Sequence, residues 1–405
     1  MSRHTRRALT LLAALPAAAA AQQPRALPAA EASWDEPFSL VSGVRELSNG
    51  RLVVADGRDK LLQLVDLKAG SATKIGREGS GPGEFNLPFR LFALAADTTL
   101  LFDPGNSRYL IIGPDGKPGK DFRIETPAPA GRAGAAGGPV RIGVSMARAA
   151  DARGRLYYET PGISIGPDNR PVPADSAAIL RWDRATQRTD TMAWVKLPKN
   201  NVQTSGGQGN FNVRIGGSNP LQARDEWTVF PDGRLAIARA NPYRVEFIAT
   251  NGTRTTGPAL PHTPIRITDA DKKEEEATQR ALANTGLRMM VTEGPNGRQM
   301  SASIGGGRGQ TPDLPPITDW PETKPPFRQG LASVWARPNG ELWVRRTERA
   351  GAKGALYDVI DAKGAVKNQV RVPDGLTLVG FGSGTAYTTK ADEDDLLTLQ
   401  RHRVP

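Results

Sequence analysis

The side chains best suited to chemistry stand just after short apolar runs. Asp56, Arg58 and Asp59 follow one run, and Asp103, Asn106 and Arg108 another; Arg239 and Tyr243, then Arg345 and Arg346, then Lys390, Asp392 and Glu393 follow three more. A planar guanidinium grips a carboxylate or phosphate through paired N–H···O bonds, so arginines that converge predict a site for an anion. Asp56, Asp103 and Asn106 carry the hard oxygen ligands a divalent metal takes, with Asp392–Asp395 as a further acidic run. The same residue types also tie loop backbone together, which needs no ligand. The candidate ligand-binding set is Asp56, Arg58, Asp103, Asn106, Arg108, Arg239, Tyr243, Arg345, Arg346 and Lys390.

Other chemistries are poorly supplied. The 405 residues contain no cysteine, which excludes thiol catalysis and any disulfide framework. Of three histidines, His4 lies in the leading segment, so His262 and His402 alone cannot build a three-histidine zinc site. The net charge of +11 is scattered, without a basic block carrying interleaved aromatics, and nucleic-acid binding is not expected.

The elements that must position these residues are short strands. Within Asp225–Thr250, Trp227 and Val229 alternate with polar neighbours, and Pro231-Asp232-Gly233 makes a turn. Leu235–Ala238 is a second apolar run, and Tyr243, Val245 and Phe247 alternate with Arg244 and Glu246, giving an antiparallel meander. Similar modules begin near Val41, Leu91, Ser145, Ser333 and Thr377, with second-strand anchors at Leu52, Leu100, Leu156, Leu235, Leu342 and Ala386. Six meanders, each apolar on both faces, are stable when packed face to face around an axis. The fold expected is all-β, a six-bladed β-propeller over 34–405, in preference to two β-sandwiches joined near residue 140. The last module is short of a fourth strand, and Trp34–Leu40 is expected to pair beside Leu396–Arg403 and close the ring.

Gly76–Phe85 is too rich in glycine for regular structure. It lacks the Lys-Ser/Thr of a phosphate-binding loop and precedes a strand, so it is expected to carry the chain between blades with Phe85 filling the gap. Ala128–Gly138 is an Ala/Gly loop, Asn200–Asn219 is rich in Gly, Asn and Ser, and a polar loop surrounds Pro161–Asp175. The largest insertion, 261–329, is expected to contain a helix capped by Thr268 or Asp269 and ended by Gly286, with Gly305–Gly307 disordered.

The N-terminus reads as a secretory signal over 1–21. Arg3, Arg6 and Arg7 precede the apolar stretch Ala8–Ala18, and Ala19-Ala20-Ala21 before Gln22 fits a cleavage site. Residues 22–33 are expected to be a flexible leader. No later apolar run is long enough for a membrane span. With no cysteine for a lipid anchor, the chain is expected to be secreted or periplasmic and soluble after cleavage.

Gly76-Arg77-Glu78-Gly79 leading into Gly81-Pro82-Gly83-Glu84-Phe85, the D-x-x-N-x-R pattern at Asp103, Asn106 and Arg108, and the repeated (D/N)-G-(R/E)-L turns resemble the NHL/TolB-like six-bladed β-propellers of bacterial secreted proteins. Asp392-Glu393-Asp394-Asp395-Leu396 near the end adds to the likeness, which covers about residues 35–405. The resemblance implies a platform for a small anionic ligand or a protein partner, without a cofactor. The alternative is a lactone or ester hydrolase holding a divalent metal in the channel, as in gluconolactonase-like propellers.

Overall fold

The computed structural model describes residues 23–124, 146–165, 171–198, 202–207, 210–215, 219–285, 287–294, 297–305, 314, 316–330 and 332–404. Six antiparallel sheets follow one another along the chain. Blade one is Val41–Glu46, Leu52–Asp56, Leu61–Asp66 and Ser71–Lys74, and blade two is Arg90–Ala93, Thr99–Asp103, Arg108–Ile112 and Pro118–Phe122. Blade three is Ala149–Ala150, Leu156–Glu159, Ser176–Asp183 and Arg188–Lys196. Blade four is Glu226–Val229, Leu235–Ala240, Tyr243–Ile248 and Arg254–Thr256. Blade five contains Val334–Ala336, Leu342–Arg345, Ala355–Ile360 and Val366–Val372, and blade six Leu376–Phe381, Thr385–Ala391 and Leu397–Arg403. First strands of neighbouring blades touch around the axis, and the fold is a six-bladed β-propeller.

The burial of each strand explains why the modules stack. In blade one the second strand, Leu52–Asp56, is buried throughout, whereas the outer strand Ser71–Lys74 is exposed throughout. A second strand covered on both faces loses its apolar–polar alternation and reads as a continuous run. All six expected anchors, Leu52, Leu100, Leu156, Leu235, Leu342 and Ala386, are 0% exposed. The buried apolar side chains fall into six clusters, one for each blade-to-blade interface. Stability is therefore spread around the ring rather than held in one centre.

The N-terminal stretch differs from expectation. Regular pairing with Leu397–Arg403 lies at Ala30–Ser33, as the outer strand of blade six, while Trp34–Leu40 contributes a single bridge from Phe38 to Leu397 and a bond from Trp34 N to Leu399 O. Arg25–Ala26 pairs in parallel with the outer strand of blade five. Leu27, between the two, is buried in the cluster joining blades five and six, so the expected leader is tied down from residue 25. Residues 1–22 lie outside the described residues, as does the Ala/Gly loop 128–138.

Two further stretches expected as loops contain hairpins. Ile163–Ile165 pairs with Pro171–Pro173, and Val202–Gly207 pairs with Asn210–Ile215. In the large insertion, Leu287–Gly294 pairs with Gly297–Ile304 across a sequence containing Asn296-Gly297, a dipeptide that favours tight hairpin turns. The helix there is Asp269–Thr285. Thr268 caps it in a reciprocal box, with Thr268 N donating to Asp271 at 2.8 Å and Asp271 N reaching Thr268 Oγ1 at 3.4 Å. Asp271 also meets Lys324 at 2.6 Å and accepts from Ala350 N, which docks the helix on blade five. Gly286 and Gly306–Gly307 lie outside the described residues.

Leu100 is fully buried between blades two and three. Leu100→Ala is expected to cost about 2–5 kcal/mol, through lost transfer energy and the cavity left behind. Denaturant unfolding should show a lower midpoint with an unchanged slope.

Candidate functional site

The face carrying the ends of the second strands holds most of the candidate residues, and most of them are engaged by protein groups of their own or a neighbouring blade. Asp56, at the end of Leu52–Asp56, is 1% exposed and accepts from Ser39 N at 2.7 Å, Leu40 N at 3.2 Å, Arg58 N at 2.9 Å and Asp59 N at 3.0 Å. Burial raises its pKa, and these amides oppose that rise. Asp103 has the same role in blade two, accepting from Asn86 N, Leu87 N and Asn106. In both blades a carboxylate at the strand end captures the chain arriving from the previous blade. This satisfies amides that the crossing would otherwise leave without partners.

The rest of the D-x-x-N-x-R pattern holds the glycine-rich crossing. Asn106 Nδ2 donates to Gly79 O at 2.9 Å, and Arg108 Nη2 donates to Gly81 O and Glu84 O at 2.9 and 2.8 Å. Phe85 is buried at the interface of blades one and two. Gly79, at φ +155°, faces Glu84 so closely that a Cβ would stand 2.1 Å from its carboxylate.

Arg239 bonds Asp225, Glu246 and Trp194 O. Tyr243 donates to Asp358 at 2.8 Å, and burial beside that carboxylate pushes its phenol well above the ordinary range. Arg346 lies over the Tyr243 ring and bonds Asp358, Pro261 O and His262 Nδ1. Arg345 ends the second strand of blade five near Tyr357, while Lys390 is exposed on blade six. Asp56 and Asp103 thus direct their oxygens to their own loops. Among the described residues no three His, Asp or Glu side chains converge as a metal site. The structure does not fit the carboxylate set expected for a channel metal.

A depression of about 330 Å³ lies on this face instead at blades two, three and four, and none of the ten candidate residues lines it. Its polar lining is Arg90, Arg148, Arg224, Glu159, Glu226 and Thr160, and its apolar lining includes Phe89, Phe102, Met146 and Pro161. Arg148 and Arg224 are each bonded to both glutamates, forming a closed ring of alternating charge. Arg148 Nη1 meets Glu159 at 3.1 Å and Nη2 meets Glu226; Arg224 Nη2 meets Glu159 at 3.1 Å and Nε meets Glu226 at 3.3 Å. Trp227 Nε1 also donates to Glu159, Gly330 N donates to Glu226 at 2.9 Å, and Arg148 lies over the Trp227 ring. Burial works against the Glu159 charge, but Arg148 and Arg224 outweigh it and hold the carboxyl below its usual range. Arg224 is opposed by burial in the same way and held above its ordinary value by Glu226 and Glu159.

Arg90 stands outside this ring. Its Nη1 reaches Arg148 O at 3.1 Å and Ala147 O at 3.5 Å, and it forms no ion pair among the described residues. Three guanidinium groups face two carboxylates here, leaving one positive charge in excess. Burial, with the Arg148 charge next to it, lowers the Arg90 pKa to about 10. Burial thus works against the charged form of Arg90, and its neighbour Arg148 adds to that effect.

A readable signal for these residues lies at the start of the innermost strands, not at the ends of the second. Arg90 begins Arg90–Ala93, Arg148 directly precedes Ala149–Ala150, and Arg224 stands two residues before Glu226–Val229. Glu159 occupies in blade three the strand-end place held by Asp56 and Asp103, with one more methylene. The chain also carries one G-x-S-x-G string, Gly162–Gly166, but Ser164 sits in the hairpin strand Ile163–Ile165 and not on a strand-to-helix elbow.

No protein-family model matches the chain, and no curated protein matches it. Solved structures share its outline. A member of the DUF4221 family from Bacteroides vulgatus is 11% identical with a TM-score of 0.45, covering 93% of this chain and 97% of its own. A gluconolactonase from Xanthomonas campestris is 12% identical with a TM-score of 0.38, covering 93% and 95%. Virginiamycin B lyase from Staphylococcus aureus is 11% identical with a TM-score of 0.36, covering 92% and 98%. The NHL/TolB-like group is not singled out among these neighbours. No helix among the described residues is long and apolar enough to cross a membrane.

The depressed carboxyl of Glu159 has a consequence for acid stability. Its contribution is fully present above its unfolded-state pKa of about 4.5 and is lost as pH falls through its lower folded value. Glu159→Gln should therefore melt below the native protein at neutral pH, and the gap should narrow below about pH 4. Melting curves across that window measure it.

Proposed function

We propose that this propeller is a non-enzymatic receptor for a small anion, held in the depression at blades two to four. The observation that carries the reading is Arg90, a guanidinium enclosed by protein, turned to backbone carbonyls on one side and lacking a carboxylate partner among the described residues. A guanidinium in a depression without a carboxylate partner is suited to an anion that enters it. The alternating ring beside it fixes the wall without consuming that charge, because Arg148 and Arg224 are balanced by Glu159 and Glu226. The basic, apolar and small-residue order of residues 1–21 supports export of this receptor.

The test is Arg90→Met, which keeps an unbranched chain and removes the charge. Small anions such as acetate, benzoate, phosphate and sulfate are titrated in a thermal-shift assay. At least one should stabilise the native protein, by about 2.7 kcal/mol at a hundred times its Kd. Arg90→Met should melt at or above the temperature of the ligand-free native protein and gain nothing from the anion. Stabilisation that persists in Arg90→Met would place the anion elsewhere.

A further inference from the structure

We propose that the anion is a monocarboxylate carried on a compact apolar body, an inference that rests on the receptor reading above. Two features of the depression select this class, the number of charges and the division of its walls.

The charge count favours a single negative charge. Arg148 and Arg224 are each bonded to both glutamates, so of the three arginines lining the depression only Arg90 has no carboxylate partner among the described residues. A dianionic phosphate would bring a second charge beside Glu159 and Glu226, with no cation left to meet it. Like charges at close range in a partly buried site are strongly disfavoured. The donor geometry points the same way. Arg90 Nη1 is turned to the carbonyls of Ala147 and Arg148, while Nε and Nη2 have no acceptor among the described residues. Those two N–H groups lie on one edge of the guanidinium plane, and a planar two-oxygen acceptor matches that edge.

The apolar lining describes the rest of the ligand, and it begins beside the charge, with the Arg90 guanidinium 5.9 Å from the centre of the Phe89 ring. Phe89, Phe102, Met146 and Pro161 line the depression and offer no side-chain hydrogen bond to a polyhydroxyl body. Phe102 is fixed by stacking on Tyr109 at 4.9 Å, and Tyr109 stacks on Phe122 at 5.5 Å, so the wall is rigid. Tyr109 also accepts from Ala147 N, tying the segment that carries Met146 and Arg148 to the same stack. A space of about 330 Å³ is at the small end of the range for ligand pockets, suited to one ring or one branched aliphatic chain.

Isothermal titration of the full chain with benzoate, acetate, inorganic phosphate and benzyl alcohol tests the inference. Benzoate should bind with one-to-one stoichiometry, at least tenfold more tightly than acetate or phosphate, and benzyl alcohol should not bind. Phe89→Ala should narrow the benzoate-to-acetate ratio by about tenfold, the scale of one aromatic contact. Arg90→Met should abolish benzoate binding, with its melting curve confirming the fold. If phosphate or acetate binds as tightly as benzoate and depends on Arg90, the monocarboxylate inference falls and the anion receptor stands. If benzoate binds equally well to Arg90→Met, or no probe binds the native protein, both fall.

Discussion

Every blade of this propeller has two apolar faces, and neither can be left to water. Closure of six such sheets into a ring answers that constraint, and the six interface clusters are its direct expression. The apolar second strands follow from it, since their side chains pack against a neighbour on each side. The polar decoration follows as well. The chain must cross from the outer strand of one blade to the inner strand of the next, and each crossing exposes amides at a place where packing excludes water. Asp56 and Asp103 meet that need in blades one and two, each 0–1% exposed and surrounded by backbone N–H donors.

Blade three departs from this arrangement, and the candidate site lies where it departs. Its strand-end carboxylate is Glu159, whose longer arm reaches Arg148, Arg224 and the indole N–H of Trp227. A cluster of four charges, one buried and three half-buried, is stable when every charge is paired and hydrogen-bonded, and the alternating ring achieves this. Its closure is what makes Arg90 distinct. If either glutamate turned toward Arg90, each arginine of the ring would lose one of its two carboxylate partners.

Much of the fold was legible because propeller strands are short, periodic and bounded by turn residues. The modules expected to begin near Val41, Leu91, Ser333 and Thr377 begin within one residue of those positions, and the capped helix begins beside Thr268. The outer strand of blade six was misplaced to Trp34–Leu40 because that piece is more apolar. Ala30–Ser33 pairs through its backbone at an exposed edge, where side-chain pattern carries little information. The site was harder to read. Asp103, Asn106 and Arg108 have the composition of a binding motif, yet each bonds main-chain groups of 79–87, sixteen or more residues upstream, and Arg108 also pairs with Asp121. Whether an Asp faces a ligand or a crossing chain depends on where distant backbone passes, and composition does not record that. Arg90 and Arg148 drew no notice because each stands alone among apolar residues, and only ring closure brings them together with Arg224.

Of the three arginines that line the depression, Arg90 alone has no carboxylate partner among the described residues, and the proposed anion settles on it. The most direct measurement is anomalous diffraction from crystals of the protein soaked in sodium bromide, with bromide reporting where a single negative charge settles. A bromide peak is expected in contact with the Arg90 guanidinium, inside the depression lined by Phe89 and Met146. Bromide at Arg239, Arg345 or Arg346, with none at Arg90, would contradict it.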